Sequence, residues 1–290
     1  MRRRQFLAAA IVAAVAGCSS RPTTPPAGSS PAASSAAGAT GLTPTTAAAE
    51  TPPRGRPGTP QEILQRSTVP VLCYHQIREQ TAADSAGARP LICPPRVLDG
   101  HLRTLAEAGM QPVTSSQLVD HLELGTALPD KPVMLSFDDA SGGQYTNALP
   151  ILRQQAMPAT FFIMTVVLDR PNWLSRDDVR ALDTAGMTIA AHTWDHHPVT
   201  NYHDKDWATQ LERPRAQLEQ IVGHEVDLFA YPYGLWNTAA LPHLHAAGYR
   251  AAFQLTGQPP DPQWPLLTIQ RVLVPSSWDN HALLTRLAPS

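Results

Sequence analysis

The feature that most constrains the fold of this chain is a regular alternation, from residue 69 onward, of short apolar runs with longer amphipathic stretches. The short runs have the length of buried strands, and apolar residues recur at helical spacing in the stretches between them. Such alternation predicts a parallel sheet, either open and doubly wound or closed into a barrel. Strands are predicted at Val69–Tyr74, Pro132–Phe137, Thr160–Met164, Met187–Ala191, Leu228–Ala230, Tyr249–Phe253 and Thr268–Val274.

The intervening helices have recognisable ends. Ser175 and Asp178 have the spacing of a capping box, and a glycine stands where several helices should stop. Pro214 falls inside one helical pattern, so that helix is predicted to kink or to be two helices. Helices are predicted at Arg96–Ala108, Ser115–Leu124, Gln144–Gln155, Ser175–Ala185, Asp204–Val222 and Thr238–Ala247.

Motifs and composition disfavour several classes of function. No GxGxxG or GxxxxGK[ST] pattern follows an early strand, which argues against dinucleotide-binding and P-loop folds. The formal net charge of −2 gives no electrostatic support for nucleic-acid binding. The three cysteines include no CxxC pair, so a thiolate zinc site is not expected.

The amino terminus has the pattern of a bacterial export signal. An arginine-rich start precedes the apolar run Phe6–Ala16, which is too short to span a bilayer. Arg3-Arg4 is typical of the twin-arginine route, and Val15–Cys18 resembles a lipobox. We therefore predict a signal peptide over residues 1–18 and an extracytoplasmic protein anchored to the membrane by lipid on Cys18. The alternative is an ordinary signal peptide with an incidental cysteine.

The segment that follows differs in composition from the rest of the chain. Residues 19–60 are almost wholly Ala, Ser, Thr, Pro and Gly. Such a segment cannot bury enough apolar surface to offset the entropy of ordering it, so it is predicted to be a disordered tether. Residues 61–290 then form the folded domain.

Two adjacent carboxylates, Asp138 and Asp139, end the predicted strand Pro132–Phe137. An aspartate at this position can simply cap a helix. Two carboxylates in one apolar pocket need a compensating cation or proton, however. A metal would separate their roles, because one carboxylate would bind the ion while the other would handle protons.

A histidine-rich turn supplies the other ligands for such a metal. His192, His196 and His197 directly follow the predicted strand Met187–Ala191. Asp139, His192 and His196 are therefore predicted to bind zinc or a similar divalent ion and to leave a position open for water. Zinc lowers the pKa of its water to about 7, which would let Asp138 take a proton near neutrality. His197 is either a supporting residue or a replacement for His196.

A third motif, Tyr231–Gly234 (Tyr-Pro-Tyr-Gly), also follows a predicted strand. By itself it is an aromatic turn, which could line a sugar-binding groove or present backbone N–H groups to an oxyanion. Together, Ser136–Asp139 (Ser-Phe-Asp-Asp), His192–His196 (His-Thr-x-x-His) and this motif resemble the NodB-like polysaccharide deacetylases, carbohydrate esterase family 4. The resemblance covers roughly residues 70–274. It implies an α/β fold, a distorted (β/α) barrel of about seven parallel strands with outer helices.

The resemblance also implies roles for individual residues. Asp138 stands at the position of the catalytic base, and Asp139, His192 and His196 stand at the positions of the metal ligands. The backbone N–H of Tyr233 stands where the family places its oxyanion donor. The implied cofactor is a divalent metal, for which zinc is the predicted ion.

The chain departs from the family pattern in two places. Ala230 stands where the family has an arginine that orients the base, and Arg271 on a later strand is the candidate replacement. The late Leu-x-His motif of the general acid is not recognisable, since His281 lies in a predicted surface helix. The segment Pro70–Ile77 resembles the branch acting on poly-N-acetylglucosamine, which uses a histidine of the first strand. His75 is therefore the candidate general acid, and a structural histidine is the alternative.

The predicted function is metal-dependent hydrolysis of N-acetyl groups on an N-acetylglucosamine-containing cell-surface or extracellular polysaccharide. The alternatives are an O-acetyl esterase of the xylan type and a non-catalytic glycan-binding surface lipoprotein. Cys73 and Cys93 are expected either to form a disulfide or to be two buried free thiols. The remaining histidines are predicted to lie on the surface: His101, His121, His203, His224, His243 and His245.

Overall fold

The computed structural model of the protein describes residues 56–255 and 257–288. The predicted signal peptide, with Cys18, and residues 19–55 of the predicted tether lie outside the described residues. Across the described ranges, none of the helices combines the length and the apolarity that a membrane crossing requires.

Strands and helices alternate through the described residues. The strands are β1 Val71–Tyr74, β2 Gln76–Ile77, β3 Ile92–Cys93, β4 Gln111–Pro112, β5 Pro132–Asp138, β6 Thr160–Ile163, β7 Thr188–Ala191, β8 Leu228–Ala230, β9 Ala251–Leu255 and β10 Ile269–Leu273. The α-helices are α1 Pro60–Arg66, α2 Pro95–Glu107, α3 Ser115–Leu124, α4 Leu149–Gln154, α5 Arg176–Thr184, α6 Arg213–Val222, α7 Leu241–Ala246 and α8 Asn280–Leu287. Two π-helical turns, Gln144–Ala148 and Ala208–Glu212, lead directly into α4 and α6.

Seven parallel strands close into a barrel, as the sequence predicts. The order around the barrel is β1, β10, β9, β8, β7, β6, β5, and β5 pairs back with β1. Cys73 on β1 is in register with Leu273 on one side and with Ser136 on the other. β4 pairs with the start of β5 outside this ring, and β2 pairs with β3 in a separate small sheet.

Each predicted strand is present, with small differences at the ends. β1 begins at Val71 rather than Val69, after Pro70, which has no N–H to give to a ladder. β9 begins at Ala251 rather than Tyr249, because the N–H of Tyr249 donates to the Leu244 carbonyl at the end of α7. Strand existence was therefore predictable from apolar runs, whereas the ends depend on local hydrogen bonds.

The helices also follow the predicted pattern. The capping box of Ser175 and Asp178 is present at the start of α5, and α3 has the predicted bounds. Pro214 lies in the first turn of α6, directly after the π-turn Ala208–Glu212, so the predicted helix changes from π to α geometry just before the proline. Helix α1 begins at Pro60, behind a capping box of Thr59 and Glu62.

Side chains of the barrel strands alternate between two cores. On β5, Val133, Leu135 and Phe137 pack outward against the helices, while Met134 packs inward with Val71 and other barrel residues. Further along the strands, the inward positions become polar but stay buried: Cys73, Ser136, Asp138 and Arg271. The barrel interior is therefore apolar at one end and polar at the carboxyl end, where barrel active sites lie.

Candidate active site

A buried ion pair occupies the centre of the polar end of the barrel. Arg271 on β10 donates from Nη1 to Oδ1 of Asp138 and from Nη2 to Oδ2, both at 2.7 Å. Burial alone would raise the pKa of Asp138, but Arg271 and His192 outweigh it and hold that pKa well below its usual range. Arg271, the candidate replacement for the arginine missing at Ala230, thus contacts both oxygens of the Asp138 carboxylate.

Three predicted metal ligands lie together beside this pair. Asp139 Oδ1 is 3.4 Å from His192 Nε2 and 3.3 Å from His196 Nε2. Among the described residues no hydrogen-bond donor serves this buried Oδ1. His192 Nδ1 donates to the Ala230 carbonyl at 2.8 Å, so Nε2 carries the lone pair and can bind a cation. An orphaned carboxylate oxygen facing two imidazoles fits a divalent cation, so we call Asp139, His192 and His196 the Asp–His–His triad.

The protonation state of His196 also fits a metal ligand. Burial and the neighbouring His192 lower the pKa of His196 to about 4, so its imidazole is neutral near neutral pH. A neutral imidazole offers a lone pair to a cation. His197, the alternative ligand, is exposed, and its ring stacks on Tyr202 with centroids 5.9 Å apart. His196 and not His197 therefore belongs to the triad.

Left-handed backbone conformations bring the triad together. Asp139 and Ala140 have φ of 77° and 69°, and Thr193 and His196 each have φ of 67°. A non-glycine residue in this region costs on the order of 1 kcal/mol, and such residues concentrate at functional sites. The turns after β5 and β7 therefore adopt strained backbone conformations, and these conformations place the ligands of the triad.

His75, the candidate general acid, lies close to Asp138. It directly follows β1 and is 9% exposed. One ligand atom each of His75, Cys73 and Asp138 lie within 4.8 Å of one another. Burial lowers the pKa of His75, against the opposing effect of the two carboxylates Asp138 and Asp139. The structure thus brings the carboxyl ends of β1 and β5 to one site.

Cys73 is a site residue that the sequence analysis did not assign to the site. Its thiol donates to Asp138 Oδ2 at 3.5 Å, and its Sγ is 3.9 Å from His75 Nδ1. Cys73 and Cys93 are both buried free thiols, which is one of the two expected alternatives. Side chains two residues apart along a strand point to the same face. The position of Cys73 two residues before His75 could therefore have indicated that Cys73 faces the site.

Tyr233 stands at the rim of the site. Its backbone has φ of 59° within the 3-10 turn Pro232–Gly234, and its ring is 61% exposed. The ring lies edge-on to His196 with centroids 4.5 Å apart. The turn thus lies beside the Asp–His–His triad.

Two other histidine predictions have opposite outcomes. His281 is exposed on α8, as expected, and lies among no site residues. The prediction that His101 is a surface residue is wrong, because His101 is fully buried. Its ring nitrogens are 3.2 Å from the Tyr74 hydroxyl and 3.1 Å from the Trp278 carbonyl, so it bridges β1 to the carboxyl-terminal segment.

Comparison with known families agrees with this arrangement. Residues 125–252 match the family model described as Polysaccharide deacetylase. The chain contains a polysaccharide deacetylase domain. The Asp–His–His triad, Asp138 and Tyr233 lie inside the matched residues, whereas His75 and Arg271 lie outside them.

Similar proteins extend the comparison beyond the matched segment. A poly-beta-1,6-N-acetyl-D-glucosamine N-deacetylase of Staphylococcus aureus is 26% identical over 169 residues, which are 53% of this chain and 58% of that protein. The match thus spans less than two thirds of that relative. IcaB from Ammonifex degensii is 25% identical, with a TM-score of 0.61 over 74% of this chain and 95% of that chain. The deacetylase PplD of Streptococcus pyogenes shares the fold, with 21% identity and a TM-score of 0.69 over 76% of this chain and 98% of that chain.

Proposed function

We propose that the protein is a metal-dependent hydrolase that removes N-acetyl groups from an N-acetylglucosamine-containing polysaccharide of the cell surface or the extracellular matrix. The observation that carries the proposal is the buried Asp138 carboxylate, which Arg271 holds close to both the Asp–His–His triad and His75. Similarity to the Staphylococcus aureus deacetylase supports the choice of an N-acetylated amino-sugar polymer.

Each of three residues has a proposed role at the reacting amide bond. Asp138 stays ionised beside Arg271 and accepts a proton from the attacking water. The water oxygen bonds to the amide carbonyl carbon while the Tyr233 N–H donates to the carbonyl oxygen. The carbon–nitrogen bond then breaks, and His75 gives its proton to the leaving amine. The products are acetate and a free amino sugar.

The residues of the Asp–His–His triad would hold the divalent metal. Two imidazoles and one carboxylate form a donor set typical of catalytic zinc, so zinc is the proposed ion. A divalent cation bound there supplies a Lewis acid that polarises a carbonyl group and acidifies water.

Acetate release tests the proposal directly. The purified domain is incubated with poly-N-acetylglucosamine or with acetylated xylan, with and without a chelator, beside Asp138→Asn. Asp177→Asn is the matched control, because Asp177 is an exposed carboxylate on α5 with its side chain 89% accessible. We expect chelator-sensitive acetate from the amino-sugar polymer, lost in Asp138→Asn and kept in Asp177→Asn.

Two other outcomes would replace the proposal. Acetate from xylan alone would assign the protein as an O-acetyl esterase. Zinc binding without acetate from either polymer would favour the non-catalytic glycan-binding alternative. That alternative rests on two absences, the arginine at Ala230 and the late histidine. The contact of Arg271 with Asp138 at 2.7 Å removes the first of these reasons.

We also propose that the protein works outside the cytoplasm, anchored by lipid on Cys18. The arginine-rich start, the apolar run Phe6–Ala16 and the lipobox pattern support this location. A metabolically labelled fatty acid should be incorporated into the full chain and not into Cys18→Ser. Equal labelling of the two proteins would contradict the anchor.

A further inference from the structure

Two buried glutamines each occupy a π-helical turn that follows a strand of the site. Gln144 begins the turn Gln144–Ala148 after β5, and Gln210 lies in the turn Ala208–Glu212 beyond β7. π-Helical turns are rare and are frequently found at functional sites. In both cases the glutamine side chain reaches a backbone segment that carries site residues.

Gln144 joins the two strand ends that carry His75 and Asp138. Its Nε2 donates to the His75 carbonyl at 2.9 Å and to the Asp138 carbonyl at 2.5 Å. Both partners are acceptors, so only the nitrogen side of the amide can face them. The ladder between β1 and β5 has its last pair at Tyr74 and Phe137, one residue before each carbonyl. The fully buried Gln144 therefore continues the connection between the strands where the ladder ends.

Gln210 holds the turn that carries His196. Its Oε1 accepts from the Trp194 N–H at 3.1 Å and from the Asp195 N–H at 3.4 Å, and its Nε2 donates to Asp195 Oδ1 at 2.9 Å. Asp195 Oδ1 also accepts from the N–H of His197 at 3.1 Å. Four contacts thus hold the backbone on both sides of His196, whose own φ is left-handed.

We propose that Gln144 and Gln210 are positioning residues with separate tasks. Gln144 sets the distance between the acid–base residues His75 and Asp138, and Gln210 sets the place of His196 in the Asp–His–His triad. The assignment of these tasks rests on the proposed function. Neither glutamine side chain contacts the reacting groups themselves, since their hydrogen bonds go to backbone groups and to Asp195.

Methionine at each position tests the proposal, because it has nearly the shape of glutamine and lacks the amide. Gln155→Met is the matched control, since Gln155 immediately follows α4 and its amide donates to Asp99 at 3.2 Å, outside the site. Three quantities are measured on each variant: zinc affinity by competition with a chromogenic chelator, kcat and KM for acetate release, and the melting temperature. The carbonyl ¹³C shifts of His75 and Asp138 report the Gln144 hydrogen bonds without reference to activity.

The two variants should fail in different ways. Gln144→Met should lower kcat about tenfold to a hundredfold with little change in KM, because small misplacements of reacting groups have effects of this size. Its zinc affinity should stay near that of the unmodified protein, and both carbonyl shifts should move. Gln210→Met should weaken zinc binding about tenfold and recover activity at saturating zinc. Gln155→Met should match the unmodified protein in kcat and in zinc affinity.

Several results would overturn the proposal. If both variants match Gln155→Met in kcat and zinc affinity, the glutamines serve packing alone. If both variants lose kcat and zinc affinity in equal proportion, the assignment of separate tasks to the two glutamines is wrong. If Gln144→Met does not fold, Gln144→Asn, which keeps the amide but is one methylene shorter, takes its place with the same expectations. If the unmodified protein releases no acetate, the proposed function fails, while the zinc affinities and the carbonyl shifts still decide the positioning roles.

Discussion

At the scale of single residues, Arg271 shows how a buried charge is accommodated in the site. Removing two charges from water is costly, and their attraction offsets this only when the remaining polar atoms are satisfied. Besides both oxygens of Asp138, Arg271 donates to the Ser136 hydroxyl at 3.2 Å and to the Gln254 carbonyl at 3.4 Å. The pair is therefore stable as a unit, and either partner alone would be a buried unpaired charge.

Removal of this guanidinium should destabilise the fold. We expect Arg271→Met to lower the free energy of unfolding by about 3–5 kcal/mol, the usual cost of leaving one partner of a buried pair alone. Arg271→Lys should lower the free energy of unfolding by less, since lysine keeps the positive charge but cannot donate to both carboxylate oxygens at once. Urea denaturation measures both. Arg180→Met, which removes an exposed ion pair with Asp177, is the control and should change stability by less than about 1 kcal/mol.

The guanidinium should be movable from β10 to β8, two strands away in the barrel. Ala230 shares the barrel interior with Phe162, and the Arg271 guanidinium lies 5.0 Å from the centroid of the Phe162 ring. Ala230→Arg alone should destabilise, because two guanidinium groups would compete for one pocket. In an Arg271→Ala background the new arginine should pair with Asp138 and recover stability, with a coupling above about 1 kcal/mol in a double-mutant cycle. Additive effects of the two substitutions would show that Ala230 cannot host the partner of the base.

Site residues were predictable from the sequence when they lie close to one another along the chain. Asp138 and Asp139 are adjacent, and the two histidines of the triad are four residues apart, so local motifs predicted them. Arg271 lies 133 residues from Asp138, and the sequence could offer it only as a candidate. Cys73 and the two positioning glutamines stayed unassigned, because their roles depend on close tertiary contacts that no local spacing records.

At the scale of elements, the turn Pro232–Gly234 depends on its close approach to β9. A Cβ on Gly234 would lie 2.5 Å from the backbone nitrogen of Leu255, and Gly234 has a φ of 70°. Since Tyr233 immediately precedes this contact, the packing of Gly234 sets where the Tyr233 N–H is presented. A glycine is therefore required at this position for steric as well as conformational reasons.

Two glycine substitutions separate these reasons. Gly234→Ala should lower the free energy of unfolding by about 2–4 kcal/mol, which combines left-handed strain with overpacking. Gly186→Ala should cost only about 1 kcal/mol, because Gly186 has φ of 84° but no heavy atom within 4 Å of an added Cβ. Thermal or urea unfolding measures both. Equal losses would mean that the approach to Leu255 relaxes freely.

Elements were predictable where a physical period marks them. Apolar runs identified the seven barrel strands, and the glycines and capping box marked helix ends. The π-turns Gln144–Ala148 and Ala208–Glu212 were predicted as ordinary helix, because one extra residue in a turn leaves the apolar period almost unchanged. The two short pairings of β2 with β3 and of β4 with β5 were missed, since two-residue strands carry no pattern.

At the scale of the whole molecule, barrel closure completes the site. The family match at residues 125–252 begins just before β5 and ends within β9, so it excludes β1 and β10. These two strands close the ring between β5 and β9, and they carry or precede His75 and Arg271. The alternation in the sequence predicted parallel strands, but closure depends on the β1–β5 pairing across the whole fold. His75 and Arg271 thus join the site only when the ring closes.

Metal binding should in turn stabilise the whole fold through the triad. A ligand that binds only the native state adds about 2.7 kcal/mol at a hundredfold excess over its dissociation constant. Zinc should therefore raise the melting temperature of the unmodified protein, and a chelator should reverse the rise.

Two neighbouring histidines provide a matched comparison for this effect. His196→Ala should lose most of the increase in melting temperature, because His196 Nε2 faces Asp139 at 3.3 Å. The exposed His197 contributes no atom to the triad, so His197→Ala should keep the full increment. The reverse pattern would assign the metal ligand to His197, and an equal increment in both variants would place zinc elsewhere on the protein.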